Sequence, residues 1–417
     1  MRDPQRQNIF GNKFSVSYPD FPSMSRLPRY MIIHQEMGHH DIVELYYQVM
    51  SPFMTKAIKT GSPIQITWSN DKTSGTFIGY TTKVSFPTAQ MMERYVKVTC
   101  TAASFVMKEK KSKIWVNRTA SEIVAEIAKT FNFVPKVTSS PVRFSQQSLT
   151  GHTYWSKIAE LSQRIGYGFH AIGTELHFHP IDTMIDRFMT TIPILSMLDS
   201  YTNPQSHYKA QTLDRFDANA GDFIESGGHN RSVKVVSGVD PVTGKYYSTQ
   251  SSPNAVGKNL RNDTKEPLFS SIESSVVVSS QAMAQSMADG KAHLSRLSVP
   301  GSGTAQGDPR ISPWNTVEIR GTGSTTDGFW VVKSATHTIH YDGRYRTEFE
   351  CVTDGIGGNA PSATRPVSAG LAPVRNVSLA LTDAQTRPSS YKLLAQQNMI
   401  SQGSNGFKVL PRRWVGV

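Results

Sequence analysis

Two stretches of this chain, 250 residues apart, carry the same ordered landmarks. Ser62-Pro63-Ile-Gln-Ile recurs as Ser312-Pro313-Trp-Asn-Thr-Val-Glu-Ile. Twenty residues after each proline stands a lysine, Lys83 and Lys333, in a strand pattern preceded by a Gly/Ser/Thr loop. Arg94-Tyr95 then leads through alternating residues to Cys100, and Arg344-Tyr345 to Cys351, with lysine-to-cysteine distances of 17 and 18. A repeat sets architecture before any motif does. The ordered set is better explained by two barrels of one type than by two unrelated antiparallel sheets with common turn chemistry.

The text between the copies supports this. Ile64-Gln-Ile66-Thr-Trp68 alternates as a half-buried strand does, and residues 77–86 and 95–106 continue the pattern. Two helices follow. Thr119-Ala-Ser-Glu122 is a capping box, with Ile123, Val124, Ile127, Ala128 and Phe131 on one face. The second spans about 153–165, with Trp155, Ile158, Leu161 and Ile165 on one face and Gly166 as its stop. A hairpin then runs from Tyr167 to His179. Residues 181–235 read as strand-like, 237–264 as loop-like, and 280–295 as a helix interrupted by Gly290.

Only 18% of the 417 residues are charged, yet the formal net charge is +12. Half of it lies after residue 359, where Arg365, Arg375, Arg387, Lys392, Lys408, Arg412 and Arg413 stand against Asp383 alone. Pro361, Pro366 and Pro373 make the start of this tail an extended linker. Phe407, Leu410 and Trp414 near its end mark a docking segment, with a frayed terminus as the alternative. Arg365, Arg375, Phe407, Leu410, Arg412, Arg413 and Trp414 are therefore the candidate partner-binding residues. No run approaches the ~18 apolar residues of a membrane span, and the N-terminus does not read as a secretory signal. Two cysteines without zinc-ligand spacing read as buried thiols.

Catalytic patterns are refused by geometry. His34 and His39 are five apart with Gly38 between, whereas a helical zinc motif needs i and i+4. His177 and His179 share a strand face without a third ligand and read as solvated. Gly238 to Lys245 has one residue too many for a phosphate loop and reads as a hairpin turn. No Gly-x-Ser-x-Gly elbow occurs. The expectation is no catalytic site, no metal and no cofactor.

Three stretches resemble one family, the phage tail baseplate hub proteins of the late control gene D family, similar also to the hub portion of type VI secretion spike proteins. They are Thr119-Ala-Ser-Glu-Ile-Val-Ala-Glu-Ile-Ala-Lys129, Thr153 through Gly168 with its hairpin, and Gly307 through Val317 with Asp327 through His337 and Tyr345-Arg-Thr. The resemblance covers about 30–355. Pro313-Trp314 departs from it, since Pro-Gly is expected there, and the basic tail is no part of it.

The expected fold is mainly β with an α+β module. It comprises two similar antiparallel β-barrel hub domains (30–108; 181–236 with 298–356), joined by a small helix-hairpin domain at 109–180. An N-terminal extension (1–29), an insertion (237–297) and an extended basic C-terminal arm (357–417) complete it. The resemblance implies a homotrimer forming a ring that joins the tail tube to the central spike, with an axial channel for DNA. Expected partners are the tail tube protein, the central spike protein, other baseplate proteins, the tape measure protein and passing DNA held non-specifically. The expected place is the virion tail baseplate, assembled in the host cytoplasm. Alternatives are the hub of a contractile injection or secretion particle, a tail-associated cell-wall hydrolase and a plain nucleic-acid-binding protein; the last two lack the required module or motif.

Overall fold

The computed structural model describes residues 13–20, 27–48, 58–70, 73–85, 95–186, 192–197, 211–218, 233–240, 242–251, 270–323 and 326–354. Six strands open the chain: β1 (Lys13–Ser17), β2 (Tyr30–Glu36), β3 (Ile42–Tyr47), β4 (Pro63–Ser69), β5 (Ser74–Ser85) and β6 (Val96–Ala102). They pair in the order β1-β4-β5-β6-β3-β2. Lys13–Ser17, expected within an N-terminal extension, is thus a strand paired along β4.

The second copy uses β12 (Ile194–Ser196), β13 (Gln211–Ala218), β17 (Val299–Gln306), β18 (Thr316–Arg320), β19 (Gly328–His340) and β20 (Tyr345–Thr353). Their order is β12-β18-β19-β20-β17-β13, and β13 returns to β12, so this barrel closes. In chain order both copies follow one permutation, first-fourth-fifth-sixth-third-second. The expectation of an all-antiparallel barrel fails at one strand: the short β12 lies parallel to both β13 and β18.

The ladders show what the repeat means. Thr81↔Cys100 in the first copy answers Val332↔Cys351 in the second, and each pairing is followed by a bulge. The register here shifts by 251 residues (81 to 332, 100 to 351). The two lysines are therefore not equivalent: Lys333 is the extra residue of its bulge, and its counterpart is Thr82. Pro63↔Tyr80 answers Thr316↔Val331, so the two prolines are not equivalent either: the counterpart of Pro63 is Thr316, three residues after Pro313. Burial follows alternation. Val43, Leu45, Ile64, Ile66, Val98 and Cys100 fill the first core, and Leu213, Val317, Ile319, Trp330, Val332 and Cys351 fill the second. Both cysteines are free and buried.

Between the copies lie β7 (Lys113–Thr119), α1 (Ala120–Thr130), β8 (Val134–Val137), β9 (Arg143–Leu149), α2 (Tyr154–Ile165), β10 (Tyr167–Ile172), β11 (Glu175–Pro180) and α3 (Ile181–Asp186). Thr119 and Glu122 form the capping box, satisfying two end groups of α1 reciprocally. Gly166 ends α2 in the left-handed conformation. Ile181–Asp186 is helical where strand was expected; Ile181, Met184 and Ile185 are buried against Trp314 and Val331.

Between β13 and β17 lie β14 (Val233–Val239), β15 (Tyr246–Ser251), β16 (Ser270–Val277) and α4 (Gln281–Arg296). β14 and β15 form a hairpin around the turn expected at Gly238 to Lys245, with β15 a strand inside the 237–264 stretch expected to be loop. Met283, Ala284, Met287 and Ala288 of α4 join the module's core. Gly290 explains itself: a Cβ there would lie 2.1 Å from the Gly166 Cα, so the two backbones touch. Among the described residues no helix is long and apolar enough to cross a membrane.

Candidate functional site: the seam between the two copies

The two copies meet along β2 and β19. Seven antiparallel pairs run from Glu36↔Ser334 to Tyr30↔His340. β19 has 13 residues, long enough to serve both copies. Its first half pairs with β18 and places Trp330 and Val332 in the second core. Its second half carries Ile339 into the first core, where Tyr345 of β20 joins it.

Side chains reinforce the ladder. His34 Nδ1 lies 3.2 Å from Thr336 Oγ1. Tyr30 stacks on Tyr46 at 4.3 Å and on His340 at 5.5 Å. At one end the Met37 N–H donates to Lys333 O at 3.0 Å, and at the other the Arg29 guanidinium sits 4.4 Å over the Tyr341 ring. Thr73 of the β4–β5 turn donates to Asp308 Oδ1 at 3.3 Å. Inside, His337 Nδ1 is 2.9 Å from both Thr347 Oγ1 and the Tyr345 hydroxyl, with the Trp68 ring alongside. Burial pushes the His337 pKa down to about 4, so the ring is neutral near pH 7.

Outside, the sheet beyond the seam presents a shallow groove of hydroxyls and carboxylates, including Ser302, Thr304, Ser334, Thr336, Glu348 and Glu350. The basic side chains on this face lie against carboxylates: Lys333 3.7 Å from Glu350, Arg346 3.4 Å from Asp214, and Arg215 beside Asp217. In a chain of net charge +12, the cations named on this face are each set against a carboxylate, so among the described residues they form no unmatched cluster for polyanion binding.

The β2–β3 turn fixes the module to the seam. Trp155 of α2 donates from Nε1 to Gly38 O at 3.0 Å and packs on His40 and Phe169. Asp41 receives the Gln35 amide at 2.8 Å, and His170 Nε2 stands 4.0 Å away. Burial raises the Asp41 pKa to about 7. His177 and His179 share the expected strand face but are not solvated there: His177 is 8% exposed, 3.2 Å from Glu175, and His179 is 2.8 Å from Thr138 Oγ1.

Arg365, Arg375, Phe407, Leu410, Arg412, Arg413 and Trp414 all lie outside the described residues. Of the seam residues the sequence drew attention to His34 alone, as a rejected zinc ligand, and not to its place in a seam. The available signal was the length of the alternating run Gly328–His340, twice that of an ordinary strand.

No protein-family model matches the sequence, and no curated protein matches it. Solved structures do. A tail protein of Neisseria meningitidis MC58 superposes with a TM-score of 0.57 at 12% identity, over 84% of this chain and 98% of that one. The 43 kDa tail protein of prophage MuSo2 from Shewanella oneidensis gives 0.56 at 12% identity, over 83% and 99%. An E. coli component of the type VI secretion system, with structural similarity to the T4 bacteriophage tail proteins gp27 and gp5, gives 0.50 at 10%, over 82% and 76%. The chain thus has the fold of phage tail proteins and of a type VI secretion component.

Proposed function

We propose that this chain is a structural hub protein of a phage tail baseplate, a ring that joins the tail tube to the central spike around an axial channel for DNA. The observation that carries it is the seam: two copies with one strand order, joined by a strand ladder inside one chain. A contact between unlike edges of like units builds a ring when its rotation closes. Three chains of two copies each would give a pseudo-sixfold ring, able to match a sixfold tube. A closed barrel makes a rigid wall, and the second copy is closed. The likeness in fold to two tail proteins over more than four fifths of the chain supports the same reading.

The role is architectural and not catalytic. Its partners are further copies of itself, the tail tube protein, the central spike protein, other baseplate proteins and the tape measure protein. DNA passes without sequence-specific contact. The place of action is the virion tail baseplate, after assembly in the host cytoplasm. Arg365, Arg375, Phe407, Leu410, Arg412, Arg413 and Trp414 of the basic arm bind a neighbouring tail component. A second reading, the hub of a contractile injection or secretion particle, is favoured by the likeness to the E. coli type VI component.

Native mass spectrometry of the purified chain, with averaging of tail tips, tests the proposal. A trimer in solution and a ring at the tip are expected. A monomer at virion-like concentration, with a ring of another order in the particle, would overturn it. A tip lacking genomic DNA in its particle selects the second reading.

A further inference from the structure

Lys157 is the only buried lysine among the described residues, 3% exposed. It stands on α2 one turn from Tyr154 and Leu161, which belong to the module's core. Its Nζ donates to Gln147 Oε1 at 2.8 Å and to Glu160 Oε2 at 2.9 Å. Gln147 is buried too, opposite Trp115 in the β7–β9 ribbon. Arg164 Nη1 donates to the same Gln147 oxygen at 3.2 Å and lies 3.4 Å from Glu160 Oε1. A surface ion pair keeps a lysine's head in water. Here the amine is inside, while the side chain of Glu160 is 45% exposed. The four groups make an acyl-transfer set: a desolvated amine, a base on its proton, a carbonyl beside it and a cation on the carbonyl oxygen.

We infer that Lys157 and Gln147 condense within the folded chain, forming an amide cross-link between α2 and β9. Glu160 takes a proton from the Lys157 ammonium. The freed Nζ lone pair attacks Gln147 Cδ, and the carbonyl electrons move onto Oε1, where Arg164 holds the charge. Glu160 relays a second proton from Nζ to the amide nitrogen. As the carbonyl re-forms, the Cδ–Nε2 bond breaks. Ammonia leaves as ammonium with the proton first taken by Glu160, and no oxidant or co-reactant is consumed. The step happens once, on the chain itself, and turns over no substrate. The fold gives it a use. A two-stranded sheet is marginal alone, and among the described residues β7–β9 has no third strand. No disulfide can tie it down, since Cys100 and Cys351 are free and buried elsewhere.

The test is the intact mass of the purified full-length chain, followed by tryptic mapping. The chain is expected to be lighter than its sequence by one ammonia. Trypsin should not cut after Lys157, so residues 144–164 should appear as one peptide, lighter by one ammonia. Fragmentation should place the link between Gln147 and Lys157. Gln147→Met and Lys157→Arg should each have the mass that their sequences give, and Glu160→Gln should leave most of the chain unlinked. An unaltered chain of full mass, cut by trypsin after Lys157, overturns the inference, and so does an ammonia loss mapped to other residues. A fully linked Glu160→Gln chain overturns the proton route. The decisive measurement is on the unaltered chain, so it does not depend on how any variant folds.

Discussion

Gly61 and Trp314 hold the same place in the two copies. Each has a left-handed backbone, φ 89° and 70°. Each donates its N–H to the equivalent ladder carbonyl, Thr81 O at 2.7 Å and Val332 O at 2.9 Å. The next residue in each copy, Ser62 or Asn315, accepts the return bond. The left-handed turn is thus required by the fold, and a side chain there costs about 1–2 kcal/mol. At Gly61 nothing lies within 4 Å of where a Cβ would stand. At Trp314 the ring is buried on Gly168 and the Met184 cluster.

Trp314→Gly should therefore relieve strain yet destabilise. Loss of a buried Trp costs about 3–5 kcal/mol, against about 1–2 regained from the backbone. A net loss of roughly 2–3 kcal/mol is expected in chemical denaturation. Gly61→Ala should lose about 1–2 kcal/mol with nothing to offset it. A stabilised Trp314→Gly would mean that strain outweighs packing at this turn.

Gly290→Ala pits helix propensity against contact. Alanine gains about 1 kcal/mol in a helix interior. Its methyl would stand 2.1 Å from the Gly166 Cα, which is backbone and cannot swing aside. Overpacking of this kind costs about 1–3 kcal/mol or more. Net destabilisation is expected, with faster hydrogen exchange where α4 meets α2.

Asp41 sets one component of the pH dependence. Its folded pKa is raised to about 7 by burial, so the folded state holds a proton that the unfolded state releases near pH 4. That contribution is full below pH 4 and is lost as pH rises through 7. His40 and His337 act oppositely. Burial lowers each to about 4, with the nearby Lys108 charge adding to the effect at His40. Their contribution is present above pH 6.5 and is lost as pH falls through 4. Two histidines outweigh one carboxyl, so stability should rise with pH between about 4 and 6.5. Asp41→Asn should steepen that rise by up to about 1.4 kcal/mol per pH unit. Denaturation midpoints across this range check it; an unchanged slope would show that Asp41 titrates normally.

Truncation after Gly358 should leave self-assembly intact, because the described strands end with β20 at Thr353. Particles built with the shortened chain should lose a tail-tip component and infectivity. Full infectivity with normal tip composition would make the arm dispensable.

Local chemistry was legible without the fold. The capping box at Thr119, the Gly166 stop and the hydrophobic face of α2 each depend on residues within a few positions, so spacing alone determined them. The repeat was legible at Cys100 and Cys351, where alternation and burial coincide. The lysine match misled, because the bulge that inserts Lys333 moves the register by one residue and no spacing count detects a bulge. The parallel pairing of the short β12 and the helix α3 escaped the sequence because burial and pairing with distant residues, not periodicity, set elements of three and six residues. His177 and His179 look solvated in sequence and are packed only because β8 and β10 flank their strand. The seam was beyond sequence altogether. His34 and Thr336 are 302 residues apart, and alternation says that a strand has two faces but not which strand will lie along its edge. That choice was made by the shared cores, which draw the second half of β19 into the first copy.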